Sequence, residues 1–385
     1  MTKTQSNSLK SLPIFLAFLA MGFGDVVSPL SALLKEEFVL SNTVSQLVTF
    51  VGLIMFGLLS IPMGLLQGRK GKKYMLQLGL IIALFGLLLP TIFGFESFAL
   101  LLLSVLFLGA GAAIMQVAGN PIMRDVSPEG KYSRNLLFGQ FIKAIGTLSG
   151  MLLPFAAVKW WGSDWQILFP IYSIIMFAAI IYLIATRIDE KTESSGQYPT
   201  FKSCLSLLKN NYVLSMVLGI FFYVGAEVSL FSKIPVYLKD VHDFDLKTWG
   251  LLGSAFIVLA VLVGRLFGSI ILNWISPKQF LVISSVLSLV GILGLYIPQQ
   301  NIAIASIFIT GLGFANIFPL IFSIAIDKMP ERTNELSGLM ITAIIGGAII
   351  PLLFSGVADL TGNIMYGFIV PIICFIYITT LAFRN

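Results

Sequence analysis

Twelve apolar segments, each about 20 residues or longer, follow one another along the chain and leave only short connections between them. With a mean hydropathy of +0.95 and 11% charged residues, the chain is too apolar for a soluble domain of its length. We therefore predict an all-α integral membrane protein. Its twelve transmembrane helices are expected at residues 11–34, 44–66, 74–93, 97–123, 136–158, 165–187, 213–238, 248–273, 279–298, 301–327, 335–357 and 363–383.

The basic residues predict how these helices are oriented. Seventeen of the 24 lysines and arginines fall in the termini and in one set of connections, four fall in the other set, and three lie within spans. Because connections rich in lysine and arginine stay in the cytoplasm, both termini are expected on the cytoplasmic side. The net charge of +6 is then a consequence of topology, and no nucleic-acid partner is expected.

The two halves of the chain repeat each other. Five residues recur 202 positions later, namely Gly109 at Gly311, Gly111 at Gly313, Asp125 at Asp327, Pro128 at Pro330, and Glu129 at Glu331. We predict a six-helix bundle at 1–188, a cytoplasmic linker at 189–212 with a short interfacial helix, and a second bundle at 213–385. Parallel six-helix repeats are typical of major facilitator transporters.

Asp25 is the residue that points most directly to a function. It lies 14 residues into the first span, roughly 21 Å along a helix and therefore past the middle of the bilayer. A carboxylate at that depth is costly unless it is paired, protonated or wetted, so we interpret it as functional. The alternative is an acid that only hydrogen-bonds a neighbouring helix. Glu227 lies 202 residues later, at the same depth of the seventh span.

Several stretches resemble known transporter motifs. Residues 64–73, GLLQGRKGKK, are similar to the major facilitator loop signature G-x-L-x-D-R-x-G-R-R, with Gly68 in place of the aspartate. Gly64, Arg69 and Gly71 match its other positions, and a positive-inside anchor explains the charges equally well. Residues 116–121, QVAGNP, and 222–229, FYVGAEVS, resemble the fucose:proton symporter family of this superfamily.

This resemblance implies a major facilitator fold and a secondary transporter of the inner membrane. Its expected activity is the proton-coupled symport of a monosaccharide, a hexose such as fucose, glucose or galactose, by alternating access. Asp25 matches an acid that takes part in proton coupling and sugar binding, and Gln140 matches a sugar-binding glutamine. Gln116 stands where the fucose permease has glutamate, and Lys143 replaces a sugar-binding asparagine.

The residues themselves also suit a sugar site, because amides offer fixed donors and acceptors to hydroxyl groups. The residues that we expect to contact substrate are Asp25, Gln116, Asn120, Gln140, Lys143, Tyr223, Glu227 and Asn316. Asp25 and Glu227 are the expected proton-coupling acids. Arg265 is a candidate for an ion pair between helices or for a gating ion pair. Hydrogen bonding between helices is the alternative for each amide.

Lys143 leaves three interpretations open. It snorkels to the membrane surface, or it pairs with Asp25 or Glu227, or it binds an anionic sugar. The alternatives for the whole chain are sodium-coupled sugar symport, a carrier of anionic sugar derivatives, and a drug antiporter of the same fold. The sequence has no H-E-x-x-H, G-x-S-x-G or Walker motif, so we expect no enzyme, cofactor or metal site. The expected partners are a sugar and the bilayer, and the expected state is a monomer.

Overall fold

The structure is a computed structural model that describes residues 3–25, 30, 34, 37–40, 42–157, 160, 162, 164–190, 200–243 and 250–384. Nearly all of these residues are helical. The helices are α1 Lys3–Gly24, α2 Asn42–Lys70, α3 Lys72–Phe93, α4 Phe98–Val126, α5 Tyr132–Ala156, α6 Leu168–Ala185, α7 Phe201–Ser206, α8 Asn211–His242, α9 Gly250–Ile271, α10 Pro277–Gly294, α11 Gln300–Phe314, α12 Ile317–Lys328, α13 Thr333–Thr342, α14 Gly346–Thr361, α15 Ile364–Gly367 and α16 Ile369–Arg384.

The predicted all-helical transmembrane fold is confirmed. Within the described part of the chain, nine helical stretches are long and apolar enough to cross a membrane. Two shorter apolar helices, Leu12–Gly24 and Ile257–Ile271, fall in the first and eighth predicted spans. The fifth predicted span coincides with α5. Each predicted span therefore corresponds to helix in the structure.

The ends and the continuity of several spans differ from the prediction. The first helix begins at Lys3 and ends at Gly24, so that Asp25 lies in a turn after α1 and not inside a longer helix. Most of the rest of that predicted span lies outside the described residues. The tenth span is divided into α11 and α12 at residues 315–316, and the eleventh into α13 and α14 by a 3₁₀ turn at Ala343–Ile345.

The chain forms two compact units. Unit 1 contains residues 1–206 and 329–342, and unit 2 contains residues 207–328 and 343–385. The domain bounds of the sequence analysis stay a prediction. Residues 191–199 of the predicted linker lie outside the described part, whereas α7 provides a short helix where an interfacial one was expected.

Prolines inside the helices create acceptors that neighbouring helices use. A proline has no N–H, so the carbonyl four residues earlier loses its usual helical partner. In unit 1 a serine hydroxyl donates to such a carbonyl at 2.6 Å in two places, from Ser104 to Gly86 before Pro90 and from Ser337 to Val117 before Pro121. Side chains thereby satisfy backbone groups that no water reaches in an apolar bundle.

A buried acid joins α7 to α13 within unit 1. The carboxylate of Glu335 is almost fully buried and accepts a bond of 3.1 Å from the Ser203 hydroxyl. Arg332 forms an ion pair of 2.9 Å with the same carboxylate oxygen. The Cys204 thiol is buried against the backbone of Glu335, with its sulfur 3.6 Å from that carbonyl oxygen. This arrangement fixes the described end of the linker to unit 1.

Cys204 is expected to resist alkylation in the folded protein. Burial and the nearby Glu335 carboxylate raise the pKa of its thiol to about 12, from an ordinary value of 9.0. Because the thiolate is the nucleophile, the rate at neutral pH should fall about 1,000-fold below that of an exposed thiol. The measurement is maleimide labelling of a Cys374→Ser variant, followed by mass spectrometry. Rapid labelling without denaturant would contradict the expectation.

Candidate functional site

Asp25 and Lys143 form an ion pair within unit 1. The ammonium nitrogen of Lys143, on α5, lies 3.0 Å from Oδ2 of Asp25, directly after α1. The lysine side chain is 11% exposed and the aspartate side chain 36% exposed, so one side of the carboxylate stays accessible. Lys143 also donates to Oε1 of Gln116 at 3.2 Å. The sequence left three interpretations of Lys143 open, and the structure has the one in which Lys143 pairs with Asp25.

Two glycines bring α1 and α5 close enough for this ion pair. A methyl group on Gly22 would overlap the carbonyl oxygen of Lys143, and one on Gly146 would overlap the carbonyl oxygen of Leu19. The two helices therefore touch backbone to backbone one turn away from Asp25. Small residues allow this close approach in membrane bundles.

Replacing either glycine should damage the site from within. In Gly22→Ala or Gly146→Ala the added methyl group must push α1 and α5 apart, at a cost of about 1–3 kcal/mol in stability. Thermal unfolding of the purified protein measures the effect. Gly356→Ala is the matched control, since a methyl group there meets nothing within 4 Å. Equal stability of all three variants would contradict the packing that we describe.

Side-chain hydrogen bonds between α4 and α5 involve four predicted substrate residues, Gln116, Asn120, Gln140 and Lys143. Beside the bond from Lys143 to Gln116, the Gln140 amide donates to Oδ1 of Asn120 at 3.2 Å. The Tyr132 hydroxyl donates to the Asn120 carbonyl at 3.0 Å. Asn120 and Gln140 are almost fully buried. Gln140 and Asn120 therefore bond each other between helices, which was the alternative to direct sugar binding, while Nδ2 of Asn120 is buried without a hydrogen-bond partner among the described residues.

Unit 2 holds a second acid–base pair. Arg265, on α9, lies 3.6 Å from Oε1 of Glu227, on α8. Its Nε also donates to the carbonyl oxygen of Ala315 at 3.3 Å. That carbonyl is available because Pro319 supplies no N–H to it. The break between α11 and α12 thus helps to hold Arg265 beside Glu227, and a role of Arg265 in gating stays a prediction.

The other predicted substrate residues of unit 2 lie in its interior. Tyr223 is 1% exposed and packs near the rings of Phe314 and Phe318. Asn316 is also 1% exposed, and its amide donates to the carbonyl of Gly264 at 2.8 Å. Both side chains are therefore enclosed within unit 2, and their direct contact with substrate stays a prediction.

Acids from elsewhere in unit 1 hold the signature loop. Gly71 has a φ of +91° and separates α2 from α3. The Glu190 carboxylate accepts from the backbone N–H groups of Lys72 and Lys73 at 2.6 and 3.0 Å, which caps α3. A side chain on Gly71 would crowd this carboxylate. The Lys72 ammonium pairs with Asp125 at 2.6 Å.

The other two residues that match the signature, Gly64 and Arg69, both lie on α2. A methyl group on Gly64 would lie 2.7 Å from the carbonyl oxygen of Asn334, because α2 and α13 pack closely there. Arg69 is the penultimate residue of α2. The acids that contact this loop, Glu190 and Asp125, lie outside the signature.

Sequence reasoning missed three residues around these sites. Thr147 donates to Oδ2 of Asp25 at 3.1 Å, and its four-residue spacing from Lys143 is a signal that was available. Asp125 was noted for the repeat alone. Glu190 gave no signal, since a linker acid 118 residues away does not reveal which helix it caps.

Comparisons with known proteins identify the family. The sequence profile of the Major Facilitator Superfamily matches residues 14–351. A putative glucose/galactose transporter of Helicobacter pylori (strain 26695) is 28% identical, with 100% of this chain and 98% of that protein covered. The L-fucose-proton symporter of Escherichia coli K12 is 23% identical, with 96% and 91% covered.

A solved structure has the same fold. The crystal structure of the major facilitator transporter FucP superposes with a TM-score of 0.84 and covers 98% of both chains at 20% identity. The likeness extends over both six-helix halves, since nearly the whole of each chain is included.

Proposed function

The chain belongs to the Major Facilitator Superfamily, and from this premise we propose that it carries a monosaccharide together with a proton. The expected sugar is a hexose such as glucose, galactose or fucose, moved by alternating access. Relatives named glucose/galactose transporter and L-fucose-proton symporter, each matched over more than 90% of this chain, support this class of substrate.

The ion pair of Asp25 and Lys143 is the observation that supports proton coupling. An acid in an apolar bundle must be neutralised by a partner or by a proton before it passes through a dry state. Lys143 supplies the neutralising charge while Asp25 is ionised. A proton on Asp25 removes that attraction, so proton binding changes the hydrogen bonds that Lys143 and Gln116 offer to a sugar.

The charges of the site favour a neutral sugar over an anionic one. The ammonium of Lys143 already faces a carboxylate at 3.0 Å, and an anion would have to displace that carboxylate. The amide oxygen of Gln116 is a further acceptor at 3.2 Å. Sodium in place of the proton would likewise have to displace the ammonium from Asp25.

Location, topology and assembly complete the proposal. We place the protein in the inner membrane, since the connections are short and the relatives are bacterial. Both termini are assigned to the cytoplasm because the lysines and arginines concentrate in the same set of connections. The working unit is taken as a monomer, with the bilayer as its surroundings.

The test is uptake of labelled hexoses into proteoliposomes under an inward proton gradient and without sodium. Accumulation of one hexose that a protonophore abolishes would support proton symport and name the sugar. Accumulation that requires sodium would show that sodium, and not the proton, is the coupling ion. No accumulation of a neutral hexose, with uptake of a uronate instead, would overturn the choice of substrate.

A further inference from the structure

Thr147 lies where it touches both partners of the ion pair. It follows Lys143 by one turn on α5, and its hydroxyl oxygen is 3.1 Å from Oδ2 of Asp25. The same oxygen is 3.2 Å from the carbonyl oxygen of Lys143. A hydroxyl has a single proton, so Thr147 donates to one of these two oxygens at a time.

The chemistry of the three groups differs between the two protonation states of Asp25. An ionised carboxylate only accepts, so it takes bonds from both the Lys143 ammonium and the Thr147 hydroxyl. A protonated carboxyl must donate its O–H. The ammonium of Lys143 has no lone pair with which to accept it, whereas the oxygen of Thr147 has two. The Thr147 proton then turns to the Lys143 carbonyl.

We propose that Thr147 is a positioning residue that keeps Asp25 hydrogen-bonded in both protonation states, as donor to the carboxylate and as acceptor from the acid. This inference rests on the proposed function, in which Asp25 carries the coupled proton. It assigns Thr147 a role that a residue able only to donate or only to accept does not fill.

The titratable and charged groups near Asp25 come from the helices that pack against α1. Helix α1 packs on α3, α4, α5 and α6. From α6 the titratable group nearby is Tyr172, whose ring stacks on Phe23 at 3.7 Å and whose hydroxyl is 2.8 Å from Ser149 Oγ. From α4 comes the Gln116 amide, which does not titrate. The buried Lys72 of α3 pairs with Asp125. Among the described residues, Lys143 is the cation in contact with Asp25.

The test compares Thr147→Val, which keeps the shape and removes the hydroxyl, with Thr147→Ser, which keeps the hydroxyl. Proton-driven uptake of the sugar identified above and sugar counterflow at equal pH are measured in proteoliposomes over a range of pH. We expect Thr147→Val to lose about tenfold or more of its proton-driven uptake and to show a changed pH profile. Its counterflow should persist. Thr147→Ser should keep the pH profile of the natural protein.

Two results would overturn the inference. Either Thr147→Val has the uptake rate and pH profile of the natural protein, or Thr147→Ser is as impaired as Thr147→Val, which would make the role one of packing. Thr147→Ala replaces the valine variant if that variant does not fold. An Asp25→Asn variant in the same experiment distinguishes failure of the proposed function from failure of the role of Thr147. Uphill uptake by Asp25→Asn would refute the proposed proton coupling itself. Loss of uptake in Asp25→Asn with an unaffected Thr147→Val would refute the role of Thr147 alone.

Discussion

Asp25→Asn is expected to abolish accumulation of sugar against its gradient while exchange of labelled sugar survives. The amide keeps the size of the side chain and cannot gain or lose a proton, so the proton gradient no longer drives uptake. Counterflow needs no net proton movement, and the amide of asparagine still offers hydrogen bonds to a sugar, so exchange should continue. The measurement is steady-state accumulation under an inward proton gradient, with counterflow at equal pH in the same vesicles.

Two further variants show whether the effect belongs to Asp25. Asp359→Asn removes an exposed acid at the end of α14 and should accumulate sugar normally. Glu227→Gln tests the second expected coupling acid, which Arg265 holds at 3.6 Å. Uphill accumulation by Asp25→Asn at the natural level would refute the coupling role of Asp25. Loss in Glu227→Gln alone would move that role to unit 2.

Lys143→Met is expected to destabilise the protein more than the double variant Asp25→Asn with Lys143→Met. The single change leaves a carboxylate without its cation in an apolar bundle, which costs about 3–5 kcal/mol when a pair is fully buried. Asp25 is 36% exposed, so we expect a smaller loss of about 1–3 kcal/mol. Removing both charges leaves no unpaired ion. Chemical unfolding of the purified protein measures the difference.

Lys233→Met is the matched control for removing a lysine from a span. The Lys233 ammonium lies 6.0 Å from the ring centroid of Phe354 in unit 2, and that contact is weak. Its loss should cost less than that of Lys143. The two side chains are not coupled if the loss of stability in the Asp25→Asn, Lys143→Met double variant equals the sum of the losses in Asp25→Asn and in Lys143→Met. The ion pair would then contribute nothing to stability.

The transmembrane architecture could be predicted because its signals are local. Apolar length sets the spans, and the 202-residue offset shows the duplication without any knowledge of contacts. The expected depth of Asp25 came from its position in the first span, and the offset then placed Glu227 at the equivalent position of the seventh. Helix ends were less predictable, because the turn at Asp25 and the break at residues 315–316 depend on packing and on a proline three residues beyond that break.

The sequence left the partner of Lys143 open between Asp25, Glu227 and a substrate and named none for Arg265, because the repeat does not extend to these pairs. The two acids occupy equivalent positions, yet Lys143 comes from the fifth span and Arg265 from the eighth. The approach of Lys143 to Asp25 depends on Gly22 and Gly146, which are 124 positions apart and carry no signal of mutual contact. The sequence therefore named these charged residues, whereas the choice among their possible partners required the folded helices.

The carbonyl of Gly86, which lacks a helical partner because of Pro90, gives α3 and α4 a fixed axial alignment. The Ser104 hydroxyl meets the Gly86 carbonyl at a single height along the helix, because the neighbouring carbonyls keep their own N–H partners. Sliding one helix by a turn of about 5.4 Å would leave that carbonyl bare. An unsatisfied buried acceptor costs about 1–3 kcal/mol. Such sliding is therefore disfavoured wherever a serine bonds a carbonyl freed by proline. The helices α3 and α4 are thereby held in one register. We expect them to move as one rigid body during transport.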